Sequence, residues 1–151
     1  MAKQYMDPEI ENYYELHVED NFELTIENFT KILGEDRITK INDKKYLIDT
    51  AMEYAHGAHK GEFPVMLFII QKDDGVYLYD EAKNMRMCYD GIENLSSAGQ
   101  KILEKILKAN NVKMDEYGGF WVKLSVSYEK SQLADMLAVL LSLSFIGELN
   151  K

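Results

Sequence analysis

Apolar and polar positions along the chain follow two periods, one of strands and one of helices. Residues 63–70, Phe-Pro-Val-Met-Leu-Phe-Ile-Ile, form a β-favouring apolar run long enough for one buried strand. Lys72-Asp73-Asp74-Gly75 follows as a turn whose glycine can take positive φ at no steric cost. Val76-Tyr77-Leu78-Tyr79 then returns as a second strand and ends at the acidic pair Asp80-Glu81. This is the strongest hairpin signal in the chain, and the segments around it read as cover for its faces.

Upstream, Asp7-Pro8-Glu9 has the form of a helix start, with Asp as N-cap and Pro at the first helical position. A helix over residues 8–18 puts Ile10, Tyr13, Tyr14 and His17 on one side, and Glu11, Glu15 and Glu19 at four-residue spacing on another. Asp20-Asn21 offers a second N-cap before Phe22, Ile26, Phe29 and Leu33, until Gly34 stops the pattern. Residues 37–43 predict a short strand entering a turn. Residues 45–54 carry both signals: Tyr46, Ile48 and Thr50 alternate, whereas Leu47, Ala51 and Tyr54 suit a helix. The preceding Asn42-Asp43 turn favours the strand. Residues 55–61, with glycine at two of seven positions, read as a loop.

Beyond the central hairpin, residues 83–89 predict an irregular connection or short strand with Met85 and Met87 facing one way. Ser96-Ser97 caps a helix with a buried stripe of Ala98, Ile102, Leu103, Ile106 and Leu107, and with Lys101, Lys105 and Lys108 opposite. Asn110-Asn111 ends it. Residues 112–115 and 119–126 predict a second hairpin, turning through Asp115-Glu116-Tyr117-Gly118. Residues 129–146 form a long helix, apolar nearly all round, which is either the central core helix or half of a dimer interface. The expected architecture is one α+β domain over residues 1–151. Residues 1–36 form an acidic helical segment, and residues 37–151 a core with a mixed or mainly antiparallel sheet of four to six strands, packed by the two C-terminal helices.

Composition agrees with a packed domain: 151 residues, 46% hydrophobic, are enough to bury a proper core. A single cysteine, Cys88, excludes an internal disulfide framework and fits a reducing compartment. With no apolar signal region at the N-terminus and no run long enough to span a bilayer, a cytoplasmic protein is expected. The net charge of -9 is uneven. Residues 1–36 hold ten acids (Asp7, Glu9, Glu11, Glu15, Glu19, Asp20, Glu23, Glu27, Glu35, Asp36) against Lys3 and Lys31, which leaves the rest of the chain at -1. Such a balance disfavours direct binding to nucleic acid, which depends on cationic contacts with phosphate. The carboxylates have two readings, a solvating face or an anionic surface built to meet a basic partner.

Candidate chemistry is sparse. His56 and His59, with Glu53 or Glu62, invite a metal hypothesis, but zinc asks for four convergent ligands and the histidines sit in a glycine-bearing loop. An exposed loop is the reading, and no metal or cofactor is expected. Cys88 lies in no motif and reads as a small apolar residue. The chain has no nucleophile elbow, phosphate loop or dinucleotide fingerprint. Asp49, Asp80 and Lys72 around a sheet loosely resemble a metal-dependent nuclease, although Gln71 puts an amide where such a site needs an acid.

The order of elements resembles a bacterial and phage family, domain of unknown function eighteen-twenty-eight, over residues 45–147. Tyr79-Asp80-Glu81-Ala82 corresponds to its Ser-Asp-Asp-Gly strand end, and departs from it at Glu81 and Ala82. Residues 95–103, Leu-Ser-Ser-Ala-Gly-Gln-Lys-Ile-Leu, look like its helix start, and Asn111-Val112-Lys113-Met114 like its Gly-Val segment. The resemblance implies a gene that travels with phages or mobile elements, and it carries no activity over. The functional expectation is a small acidic binding protein, not an enzyme. It would be of inhibitor or immunity type and would use Glu11, Glu15, Glu19, Glu23 and Glu27 to occupy a basic, nucleic-acid-binding site on a protein partner. The alternatives are a metal-dependent nuclease or hydrolase of a mobile element, and a structural homodimer.

Overall fold

The computed structural model describes residues 18–53 and 64–149. Their elements are helix α1 (Val18–Leu33), a 3-10 turn (Glu35–Arg37), strands β1 (Ile38–Asn42), β2 (Lys45–Glu53), β3 (Pro64–Lys72) and β4 (Gly75–Tyr79), and helix α2 (Lys83–Tyr89). A second 3-10 turn (Ile92–Asn94), helix α3 (Ser97–Asn110), strands β5 (Lys113–Met114) and β6 (Phe120–Lys123), and helix α4 (Glu129–Leu149) complete the order. The six strands form one sheet in the order β1-β2-β3-β4-β6-β5, and every neighbouring pair is antiparallel. The chain is thus an α+β domain in which helices and sheet make two layers.

Strand parity decides which face of the sheet the helices cover. Ile48 of β2, Val65, Leu67 and Ile69 of β3, Val76 and Leu78 of β4, and Phe120 and Val122 of β6 all enter one core cluster. Phe22 and Phe29 of α1, Met85 of α2, Leu103 and Leu107 of α3, and Leu133, Met136, Val139, Leu140, Leu143 and Ile146 of α4 meet them there. Each fully buried side chain of this size contributes about 1.5–3 kcal/mol relative to exposure. The alternate residues of the strands, among them Met66, Phe68, Ile70, Tyr77, Tyr79 and Trp121, point to the other face, because a strand turns successive side chains to opposite sides.

The central hairpin closes as its sequence predicts. Lys72 pairs with Gly75 across a two-residue Asp73-Asp74 turn, and Phe68 pairs with Tyr79 at the far end. Residues 45–53 are a strand, held between β1 and β3. Gly34, at φ 98°, ends α1 in a backbone region that side chains disfavour. Ser96 caps α3 by accepting from Gly99 N at 3.1 Å, and Asn111 closes that helix in the left-handed region. α4 is the central core helix, packed against α1, α2, α3 and β6.

Three local expectations need correction. Asp20 lies inside α1, not at its N-cap, because the helix is already formed at Val18. Ala98 is exposed, so the inward stripe of α3 is Gly99, Leu103 and Leu107, flanked by half-buried Ile102 and Ile106. Residues 83–89 are a helix and not an irregular connection or strand. Seven residues cannot sustain a helix alone, and this one is held by local bonds to Asp80 and a long-range bond from Asn84 to Met66 O, described below. The helix predicted over residues 8–18 and the loop with His56 and His59 lie outside the described residues, apart from Val18.

Candidate functional site

On the face that the core cluster does not use, β3, β4 and β6 present a cleft of about 320 Å³ lined by Lys72, Asp74, Tyr77, Tyr79, Asp115 and Trp121. Register puts the rings together. Tyr79 pairs with Trp121 and Tyr77 with Lys123 across β4 and β6, and the Tyr77 and Trp121 rings meet edge to face at 5.7 Å and 67°. That geometry satisfies the ring quadrupoles.

The polar groups of the cleft are held in place by hydrogen bonds. The Tyr77 hydroxyl donates to Asp74 Oδ2 at 2.6 Å, and the Tyr79 hydroxyl donates to Asp115 Oδ2. Asp115 Oδ1 in turn accepts from the backbone N–H groups of Tyr117 at 2.9 Å and Gly119 at 2.8 Å, so its loop fixes the carboxylate that fixes Tyr79. Gly119 is essential to the arrangement in a steric sense. A Cβ there would stand 2.7 Å from Asp115 Oδ2 and 2.8 Å from Tyr79 Cε1. Burial, reinforced by the bond to Asp74, pushes the Tyr77 phenol up to about 12. Burial and then the bond to Asp115 raise Tyr79 as well. The Tyr77 hydroxyl holds the Asp74 carboxyl below its ordinary value. Both phenols therefore stay protonated at neutral pH, and Asp74 stays ionised.

Lys72 leans over this platform, its Nζ 5.3 Å from the Tyr77 ring centroid and 5.5 Å from that of Tyr79. Farther along the same face, Lys45 Nζ lies 4.3 Å over the Phe68 ring and pairs with Glu81.

Asp80, offered by its sequence position as a possible catalytic acid, has a different environment. It is fully buried. Oδ1 accepts from Phe120 N at 2.7 Å and Ala82 N at 3.0 Å, and Oδ2 from Asn84 Nδ2 at 2.8 Å and Asn84 N at 3.3 Å. Asn84 Nδ2 also donates to Met66 O at 2.8 Å. One carboxylate thus ties β4, β6 and α2 together, with the amide reaching β3. Burial raises the Asp80 carboxyl, and the four donors pull against that rise. Asp49 is exposed on β2 and accepts from Ala51 N at 2.8 Å; it does not join Asp80. Lys72 belongs to the aromatic cleft.

Of the predicted anionic residues, Glu23 and Glu27 are exposed on α1, and Glu27 pairs with Lys31 at 3.4 Å. Glu19 falls within α1, while Glu11 and Glu15 lie outside the described residues. No three His, Cys, Asp or Glu converge as a metal site among the described residues, and among them no helix is long and apolar enough to cross a membrane. Cys88 is half-buried against the core, and burial pushes its thiol up to about 12, which makes it a poor nucleophile. Sequence reasoning missed the cleft, although Tyr77 and Tyr79 at two-residue spacing already announced a shared face. The partnership with Trp121 and Asp115 needed the β4–β6 pairing. Comparison with protein-family models, curated proteins and solved structures gives no match for this chain.

Proposed function

We propose that the protein is a non-enzymatic binding module that receives a basic segment of a protein partner on the sheet face opposite its core cluster. The observation that carries this reading is the cleft itself: three aromatic side chains held rigid by edge-to-face contact and by hydrogen bonds to two carboxylates. Tyr and Trp concentrate binding energy at interfaces, because they offer large contact area with few rotors to freeze. The acidic α1 face supplies long-range attraction for a basic partner, which raises the association rate more than the final affinity. A protein whose own site takes nucleic acid has such a basic surface, so an inhibitor of that class of partner is the form of the role that the charge supports.

Peptide selection provides the test. A random display library panned against the protein should enrich sequences rich in Arg and Lys. Trp121→Ala should accelerate their dissociation. Glu15→Gln, Glu19→Gln and Glu23→Gln together should slow their association at low salt, with the difference shrinking as salt is raised. Enrichment of neutral or acidic sequences, or equal binding by wild type and Trp121→Ala, would refute the reading.

A further inference from the structure

The chemistry of the cleft narrows the side chain it receives. Its lining holds two carboxylates, Asp74 and Asp115, against one ammonium, Lys72. The Lys72 ammonium lies within the range at which ring faces attract a cation, so the rings already act as a cation platform. It closes no ion pair: among the described residues the pairs are Lys31–Glu27, Lys40–Asp43 and Lys45–Glu81. Each ionised carboxylate has about four acceptor sites. Asp74 spends one on Tyr77, and Asp115 spends its own on Tyr79, Tyr117 N and Gly119 N. Acceptor capacity therefore remains on both. Elsewhere on this face a single cation satisfies ring and carboxylate together, since Lys45 both covers Phe68 and pairs with Glu81. At Lys72 the cation covers the rings and closes no ion pair with either carboxylate, although its charge and that of Lys123 act on Asp74 through space.

We propose that the cleft is a recognition site for an arginine side chain on a basic segment of a protein partner, and that Lys72 is a resident cation which the guanidinium displaces. The proposal deepens the binding role above and rests on it. Guanidinium answers the site better than ammonium does. It is planar, stacks on aromatic rings, and presents donors in a fork that can reach a carboxylate from a stacked position. A cleft of about 320 Å³ is at the small end for ligand pockets and suits one inserted side chain. A phosphate would meet two carboxylates and is disfavoured on charge.

The chain has a single tryptophan, and it lines the cleft, so intrinsic fluorescence reports on occupancy. The full-length protein and its Lys72→Ala variant are titrated with N-acetyl-arginine amide, N-acetyl-lysine amide and inorganic phosphate. The arginine derivative should perturb Trp121 in roughly the millimolar range and bind more tightly than the lysine derivative. Lys72→Ala should tighten it by about two- to tenfold, because the competing cation has gone. Asp115→Asn, checked by its melting curve, should weaken it. Phosphate binding that Lys72→Ala abolishes would make the cleft an anion site and overturn the proposal, as would silence toward the arginine derivative in both proteins. If selected basic peptides still bind in that event, the arginine pocket falls and the binding role stands. If the arginine derivative binds and no basic peptide does, the pocket stands and the partner reading falls.

Discussion

Asp80→Ala is the most informative single change to the fold, because one carboxylate serves three elements. The substitution strips the acceptor from Phe120 N and Ala82 N, both of which donate to Oδ1, and from the Asn84 groups on Oδ2. Asn84 Nδ2 keeps Met66 O as an acceptor, so the loss falls on three backbone N–H groups, those of Phe120, Ala82 and, at the longer 3.3 Å, Asn84. A buried donor left without a partner costs about 1–3 kcal/mol. Removing a buried charge returns some desolvation energy, since burial works against this carboxylate. The net expectation is a loss of about 3 kcal/mol, large against the roughly 5–15 kcal/mol that holds a domain together. For a chain of this size that lowers Tm by about 6–12 °C. Asp80→Asn should cost less, because its amide oxygen can still serve Phe120 and Ala82 while its NH2 faces the Asn84 donors. Thermal and urea unfolding read both variants, and α2 should lose hydrogen-exchange protection first in the alanine variant. A Tm within about 2 °C of wild type would refute the structural reading. If, in addition, metal-dependent cleavage of DNA or RNA by the wild type were abolished in Asp80→Ala, the residue would be catalytic and the nuclease alternative would return.

Two further outcomes test the cleft. Phenolate absorbance should show Tyr77 and Tyr79 ionising above the ordinary phenol value. Because the folded Tyr77 phenol is raised from 10.0 to about 12, its stabilising contribution is full below pH 10 and lost as pH rises through 12. Alkaline unfolding should therefore set in across that window, and Tyr77→Phe should reduce its pH slope; an unchanged slope would show that another group governs it. Gly119→Ala should force Tyr79 off Asp115, because its methyl would lie 2.7 Å from Asp115 Oδ2 and 2.8 Å from the Tyr79 ring. A loss of about 1–3 kcal/mol by urea unfolding, with a shift in Trp121 emission, is expected; unchanged stability and emission would mean that the loop yields without moving Tyr79.

The sequence by itself determined the elements whose signal is local. The apolar run of residues 63–70 and the Asp-Asp-Gly turn specify the β3–β4 hairpin, Ser96 and Asn111 mark the ends of α3, and the apolar content of residues 129–146 specifies a long helix whose place in the core only its packing decides. Each rests on backbone preference or on burial of a periodic stripe, and both are written within ten or twenty consecutive residues. Tertiary structure also decided α2, whose seven residues show no usable period and whose N-terminal turn, tied locally to Asp80, is anchored to β3 through Asn84 and Met66 O. It also decided the cleft. Tyr79 and Asp115 are 36 residues apart, and they meet because β6 returns to pair with β4 between two helices. The same pairing turns Asp80 from an apparent strand-end acid into a buried anchor, since it brings Phe120 N, 40 residues away, onto the Oδ1 that already accepts from the local Ala82 N. Local patterns encode which residues are strand or helix, whereas the partners of a carboxylate depend on which strands become neighbours, and no single segment carries that information.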